Sequence, residues 1–478
     1  VTVRNPRTKR IGIVLTALVL ALSSVRCGRS PRPSGPNFLI LVVDALRADH
    51  VGVYGYSRPT SPRLDEYARQ GVMFDRAYAQ APSTFPSTAA IFTGRYPSDT
   101  QAASERVFEL SQECATLAEV LKGAGYRTGF FSANPIHAYD RLETGEQWSP
   151  GFDQGFDEYF VGSNLLDDRL RAEALNEHAM AWIRKDGSRG PFLACVWYID
   201  VHAPYEPPPE FRDLFPDPYE GKIDGKKEMR ELWKTGKPIS QEARQQLINL
   251  YDAEIAYTDS SIGDMLDALA DKSVLANTLV MVTADHGEAF QEHGQCGHGF
   301  GLYEELIRIP LLIIPPQAQT QSQPSRHAAL VALIDLMPTI LDYAAVPSEK
   351  RPDEMQGLSL RALVEGTEAE INREVIAAEL GFALKPGGDP SSISSRAILT
   401  ERFKLIESNL WDLPTDVLLF DLEQDPLEQH SLADEPDSSK QVELLRAQLK
   451  VILGEQDRSR VAPLPEHVRA RLRALGYL

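Results

Sequence analysis

The run Asn37-Phe-Leu-Ile-Leu-Val-Val43 constrains this chain more than any other stretch. It is apolar after its first residue and shows no alternation, the pattern of a strand that meets water on neither face. Such a strand belongs in the interior of a mostly parallel sheet. Similar runs follow at Thr128 to Phe131, Phe192 to Val201, Thr278 to Thr283 and Ile309 to Ile314. Between them lies helical spacing, clearest at Leu247, Tyr251, Ile255, Ile262, Leu266 and Leu269, three, four or seven residues apart. Strand alternating with helix predicts an α/β sandwich around a mostly parallel sheet. No internal repeat of roughly 20–50 residues is visible.

Two stretches interrupt this order. Residues 204–240 are rich in Pro, Gly, Lys and Asp and read as a long loop, a candidate lid; residues 315–326 read as a polar surface excursion. From about 386 the pattern changes to short strands (Arg396 to Thr400, Lys404 to Glu407, Val417 to Asp421) and a helix from Gln441 to Gly454. The expected division is therefore a leader and spacer over 1–36, a catalytic domain over 37–385 and a small α+β subdomain over 386–478.

The leader is basic (Arg4, Arg7, Lys9, Arg10) and then mostly apolar from Ile11 to Val25. Fifteen residues are fewer than the ~20 a transmembrane helix needs, and they suit a signal peptide. Cys27 stands where a lipid-acceptor cysteine would, although Arg26 is a poor cleavage neighbour. An exported, periplasmic or cell-envelope protein is expected, touching membrane only through this segment or a lipid on Cys27. Cys114, Cys195 and Cys296 have no CxxC spacing and read as buried or free thiols, with one unassigned disulfide open after export.

Charge narrows the partners. Acidic residues number 68 against 49 basic, for a net charge of -19, and the basic leader leaves the rest more acidic still. Nucleic acid and anionic membrane faces are poor partners for such a surface. An anionic substrate would have to be held locally, by a few cationic groups or a metal.

Ligands of open α/β sheets sit beyond the carboxyl ends of the strands. Polar residues follow three of the runs: Asp44 after the first, Asp200 and His202 after the Phe192 run, and Asp285 and His286 after the Thr278 run. Singly, each has a bland explanation as a helix cap or a hydrogen-bonded histidine. Together they suit one divalent cation, Mn²⁺, Zn²⁺ or Mg²⁺, or less comfortably Ca²⁺. In Ala81-Pro-Ser-Thr84-Phe-Pro86, the proline can start a helix and Ser or Thr can cap it. A hydroxyl there sits in positive potential, where an anionic ester would also bind.

These residues, in this order, resemble the sulfatase family of the alkaline phosphatase superfamily along nearly the whole chain after residue 36. The resemblance is carried by Asp44-Ala-Leu-Arg-Ala-Asp-His-Val-Gly-Val-Tyr-Gly55, Thr84-Phe-Pro-Ser-Thr with Thr93-Gly94, and His202-Ala-Pro-Tyr. It continues through Asp285-His-Gly-Glu, Gly297-His298-Gly, Leu302-Tyr-Glu-Glu305, Arg308-Ile-Pro310, Asp335-Leu-Met-Pro-Thr339 and Phe420-Asp-Leu-Glu-Gln-Asp-Pro426. It implies an alkaline-phosphatase-like α/β/α sandwich, with Asp44, Thr84, Asp285 and His286 as metal ligands. It also implies Thr84 as nucleophile and His202 and His298 as contacts to the ester and its leaving group.

Two departures matter. Ala45 stands where a second Asp is common in the family, so one metal is expected. Thr84 stands where sulfatases carry a Cys or Ser matured to formylglycine, and Thr88 stands where an Arg would follow. Thr84 cannot become formylglycine. A hydrated formylglycine expels sulfate by collapse of its hemiacetal, whereas a Thr ester has to be cleaved by water, which suits phosphorus better. The expectation is a metal-dependent hydrolase of small sulfate- or phosphate-type esters working through a covalent intermediate on Thr84. A cell-envelope phospho-headgroup transferase and a catalytically silent binding protein are the alternatives. Arg47 is a candidate oxyanion contact or a surface ion pair. Asp252, Glu254 and Asp259 read as a solvated helix face. His293 reads as loop packing near the metal residues, and His50, His137, His178, His327, His430 and His467 have no motif support.

Overall fold

The structure, a computed structural model, describes residues 35–100, 109–138, 140–141, 147–162, 169–186, 190–216, 231–232, 235–317, 325–380, 383–384, 390–391, 394–409 and 416–454. The expected leader and Cys27 lie outside the described residues, as do 217–230 and 233–234 of the expected lid and 318–324 of the polar excursion. No described helix is long and apolar enough to cross a membrane.

Among the described residues the central sheet has nine strands: β1 (Asn37–Val43), β2 (Val72–Tyr78), β3 (Arg127–Ser132), β4 (Glu158–Val161), β5 (Phe192–Tyr198), β6 (Thr278–Thr283), β7 (Arg308–Ile309), β8 (Leu311–Ile314) and β9 (Ser325–Ala332). They run in the order β7-β2-β8-β6-β1-β5-β3-β4, with β9 also pairing β2. β1 lies between β5 and β6 and is parallel to both, so both of its edges are hydrogen-bonded. Its side chains from Phe38 to Val43 are all buried, each contributing roughly 2 kcal/mol of hydrophobic stabilisation. The expected run from Ile309 to Ile314 is divided at Pro310, which has no N–H for the ladder. Its second part, β8, runs antiparallel to both β6 and β2, and β7 is antiparallel to β2 as well, the departures from an otherwise mostly parallel sheet. β9 opens at Ser325, so the polar excursion ends sooner than expected.

The helices that bear on the site are α1 (Pro62–Ala68), α2 (Thr84–Thr93), α3 (Ala172–Asp186) and α4 (Gln241–Asp271). The apolar stripe read from Leu247 to Leu269 lies on α4 and is buried throughout. The acidic residues beside it are also buried, which corrects the expected solvated face. Asp252 binds His50 Nδ1 and the Tyr56 hydroxyl at 2.7 Å and Arg58 at 2.5 Å. Glu254 pairs with Arg169 and Arg171, each at 3.1 Å. Asp259 accepts the N–H groups of Arg63 and Leu64 at 2.8 Å, so one helix caps the first turn of another. A helix packed on several sides can keep carboxylates only where each is paired.

A second, antiparallel sheet of four strands follows: β10 (Ile376–Leu380), β11 (Ser394–Leu399), β12 (Phe403–Asn409) and β13 (Asp416–Asp421), in that spatial order. It opens ahead of residue 386. A further helix, α5 (Ser439–Leu453), contributes Val442, Leu445 and Leu449 to its core. That core is continuous with Leu302, Leu306 and Ile307, so the small sheet supports the segment that follows His298. Buried Lys404 of β12 reinforces the junction, pairing with Glu304 at 3.1 Å and Glu428 at 2.8 Å.

Candidate active site

Parallel register brings the strand ends together. Val43 is level with Tyr198 of β5 and Val42 with Thr283 of β6, so the chain leaves all three strands at one edge of the sheet. Asp44 follows β1 at once, its N–H on the Tyr198 carbonyl at 2.9 Å. Asp285 and His286 follow β6 after one alanine. Thr84 is the first residue of α2, after an extended Ser83 whose side chain makes no capping hydrogen bond, contrary to the expected Ser/Thr cap. Pro86 occupies the first turn, where no helical partner awaits its missing N–H. The Thr84 hydroxyl therefore stands at the positive end of the helix.

Four residues of the expected metal set meet. The Oγ1 of Thr84 lies 3.4 Å from Asp44 Oδ2 and 3.3 Å from His286 Nε2. His286 Nε2 lies 3.6 Å from Asp44 Oδ1 and 3.4 Å from Asp285 Oδ2. One ligand atom each from Asp44, Asp285 and His286 fall within 4.8 Å of one another, and all three residues are buried. Thr84 is only 4% exposed.

The donor set fits a divalent cation. Asp44 Oδ1 and Asp285 Oδ2 are buried and make no hydrogen bond, and both face His286 Nε2. His286 Nδ1 lies 2.8 Å from the Gly287 carbonyl, which can only accept; the ring proton therefore sits on Nδ1 and the Nε2 lone pair faces the carboxylates. Burial, and for Asp44 also the charge of Asp285, pushes both carboxyls up to about 7. Two buried carboxylates in contact are stable in their charged forms when a cation is shared between them. The oxygens that are not aimed at His286 have other partners. Asp285 Oδ1 accepts from the N–H groups of Ala45 (3.2 Å) and His286 (2.9 Å). Ala45 reaches it from a left-handed conformation, φ 60°, with its own carbonyl held by Tyr251 at 2.7 Å.

Two further histidines stand alongside. The ring of His298 lies 4.2 Å from that of His286 and 4.8 Å from that of His202. His202 Nδ1 is tied to the Ala203 carbonyl and His298 Nδ1 to Glu288 Oε1 at 3.1 Å. Burial lowers His202 to about 3 and holds His298 well below the usual histidine range, so both are neutral in this arrangement.

Other candidates lie elsewhere. Arg47 is buried and its guanidinium is engaged by Asp49 (2.7 and 2.9 Å), Glu292 (2.7 Å) and the Glu288 carbonyl (3.0 Å). The expected ion pair is present, made with half-exposed Asp49 and with Glu292, and it ties β1's exit to the segment after His286. Asp200 pairs with Arg171 at 3.0 Å and is not among the metal-facing groups. His293 stacks on Tyr303 and bonds Glu305 at 2.8 Å, consistent with loop packing. Cys114, Cys195 and Cys296 are buried, and no disulfide joins the three.

Sequence reasoning missed Asn134, Trp197 and Glu288. Asn134 Nδ2 lies 2.5 Å from Asp44 Oδ2 and 3.5 Å from Thr84 Oγ1, while its Oδ1 accepts from Ile136 N–H at 2.8 Å and so fixes the amide orientation. Trp197 Nε1 donates to the same Asp44 oxygen at 3.2 Å. Glu288 is fully buried between His298 and the Tyr205 hydroxyl (3.0 Å). A signal existed for Asn134, since it follows the Thr128 run as Asp44 follows the Asn37 run. Trp197 offered none, because an indole inside an apolar strand looks like core.

Known proteins share this arrangement of chain. The family model described as Sulfatase matches residues 36–346, and that for the N-sulphoglucosamine sulphohydrolase C-terminal region matches 291–455. The chain is 27% identical to the uncharacterized sulfatase YidJ of Escherichia coli (strain K12), over 84% of this chain and 83% of that one. It is 26% identical to an arylsulfatase of Clostridium perfringens, over 88% and 94%. Its fold matches that of a protein solved in complex with its substrate D-glucosamine-2-N,6-O-disulfate, at TM-score 0.71 and 20% identity, over 88% and 99%. It also matches a phosphonate monoester hydrolase from Silicibacter pomeroyi, at TM-score 0.70 and 21% identity, over 89% and 96%. With most of its length under one family description and an ester hydrolase fold around Thr84, this chain belongs to the sulfatase family.

Proposed function

We propose that the protein is an exported, metal-dependent hydrolase of small anionic esters in which Thr84 is the nucleophile, with phosphorus esters favoured over sulfate esters. The observation that carries this reading is the meeting of Thr84 Oγ1 with Asp44 and His286 at 3.3–3.4 Å. Asp44, Asp285, His286 and the Thr84 oxygen would hold one divalent cation, which would supply charge neutralisation and a lower pKa for the hydroxyl. The pairing of imidazole with carboxylates favours Mn²⁺ or Zn²⁺ over Ca²⁺.

Thr84 Oγ attacks the phosphorus in line with the leaving oxygen, forming the Thr–O–P bond as the P–O bond to the alcohol breaks. Asn134 Nδ2 and the helix N-terminus face the nucleophile and offer positive potential to the equatorial oxygens. The proton that Thr84 gives up passes by way of the neutral imidazole of His298, steadied by Glu288, or of His202 to the departing alkoxide, and water then adds to phosphorus, breaking its bond to the Thr84 oxygen and returning the hydroxyl. With Thr in place of a formylglycine precursor, release depends on this second attack, and phosphorus accepts it more readily than a sulfate ester would.

Export by the basic and apolar leader, and anchoring through that leader or Cys27, belong to the same proposal. The acidic surface supports small-molecule esters over nucleic acid as partners. The test is a panel of aryl sulfate, phosphomonoester, phosphodiester and phosphonate monoester, each with Mn²⁺, Zn²⁺, Mg²⁺ or Ca²⁺. Turnover led by one of the phosphorus esters, and lost in Thr84→Ala, supports the reading. Absence of turnover with every metal, together with no metal bound, favours the silent binding protein; transfer of the phosphoryl headgroup to an added alcohol in preference to water favours the transferase.

A further inference from the structure

We infer that Thr88, His137 and Ser132 form a positioning relay that holds the Thr84 hydroxyl and the Asn134 amide at a set separation; the inference rests on Thr84 being the nucleophile. The contacts run in one direction. Thr88 Oγ1 donates to the Thr84 carbonyl at 2.8 Å, which uses its only proton. His137 Nε2 lies 3.0 Å from the same Thr88 oxygen and must therefore be the protonated nitrogen. Nδ1 then presents a lone pair to Ser132 Oγ at 2.8 Å, and Ser132 donates to it. The Ser132 oxygen in turn accepts the backbone N–H of Asn134 at 3.0 Å.

The two ends of this chain are the nucleophile's own carbonyl and the backbone of the residue whose amide lies 3.5 Å from the nucleophile's oxygen. Ser132, Thr88 and His137 are completely buried. The His137 ring is packed edge-on against Phe130, Phe152 and Trp197 at centroid distances of 5.1, 5.7 and 4.8 Å, so it cannot swing aside. Trp197 is the indole that donates to Asp44, so the ring that holds the relay also touches the residue that holds the metal side of the site. His137 touches no reacting atom. It is a positioning residue, joining the first turn of α2 to the loop after β3.

The test compares Thr88→Val, which keeps the shape and removes the hydroxyl, with Thr88→Ser, which keeps the hydroxyl. In the metal-loaded enzyme, Thr88→Val is expected to lower kcat roughly 10- to 100-fold with KM within about twofold and metal content unchanged, because small displacements of reacting groups act on the chemical step. Thr88→Ser is expected to recover kcat to within about threefold. An unchanged kcat in Thr88→Val, or a loss that Thr88→Ser does not repair, would overturn the relay. Nitrogen-15 NMR of the wild-type histidines gives a readout that needs neither variant to fold nor substrate to turn over. His137 is expected as the Nε2–H tautomer with a slowly exchanging proton, and an Nδ1–H tautomer would refute the direction of the chain. Failure of the ester panel with the Nε2–H signature present would sink the hydrolase reading while leaving the relay standing.

Discussion

Thr84 Oγ1 stands 3.3 Å from Nε2 of His286, a contact across 202 residues of sequence. One group opens a helix and the other ends the turn after a buried strand. Their closeness makes a single site of what the chain supplies in two pieces.

Thr84→Ala is expected to abolish turnover, by at least about 10³-fold, while metal binding persists through Asp44, Asp285 and His286. Thr84→Ser should keep measurable activity, since a hydroxyl remains. Steady-state kinetics beside metal analysis of the same preparations checks both statements.

Asp44→Asn removes one metal-facing carboxylate but leaves an amide of the same size. Metal affinity is expected to fall roughly 10- to 100-fold, read by titration calorimetry with Mn²⁺ or Zn²⁺. Chelation of the wild type should remove activity, and the same cation should restore it.

The metal-free protein should become less stable as pH rises. Asp44 and Asp285 are raised to about 7 when folded and titrate near 4 when unfolded, so between these values the folded state binds more protons. Stability is then lost at up to about 1.4 kcal/mol per pH unit for each group. Cation binding must displace those protons, so affinity should rise over the same window. Chemical denaturation at pH 5.5, 6.5 and 7.5, with and without metal, reads both trends; a flat profile in the metal-free protein would contradict the buried, unpaired carboxylates.

His298→Ala is expected to slow an alkyl ester by roughly 10²-fold and a nitrophenyl ester much less, because a good leaving group needs no proton. Equal losses on both would move the acid role to His202.

Asp259→Ala should cost about 2 kcal/mol of stability with kcat unchanged, since it strands the Arg63 and Leu64 N–H groups at the start of α1. Denaturant unfolding measures it.

Much of the frame was legible in the residues. The runs at Asn37 and Thr278 are strands with the expected bounds, and the polar residues just past them are the ones that converge, because parallel strands in register deliver their exits to one edge. The Leu247 stripe is a helix because its spacing allows little else. Asn134 was legible by the same rule and was passed over. Other features depend on company. Asp252, Glu254 and Asp259 read as solvated because sequence counts charges without showing partners. Arg47 read as an oxyanion contact or a surface ion pair for the same reason, and its acceptors come from positions 49, 288 and 292.

Local sequence determined the buried strands, a helix start close to Pro86 and the chemical types at each strand end, since periodicity and side-chain chemistry act over a few residues. Tertiary structure alone decided which oxygens of Asp44 and Asp285 stay unpaired, which histidine nitrogen faces them, and that Trp197 and Asn134 steady Asp44. Those outcomes depend on distances of a few ångströms between segments far apart in the chain, and no short-range pattern encodes such distances.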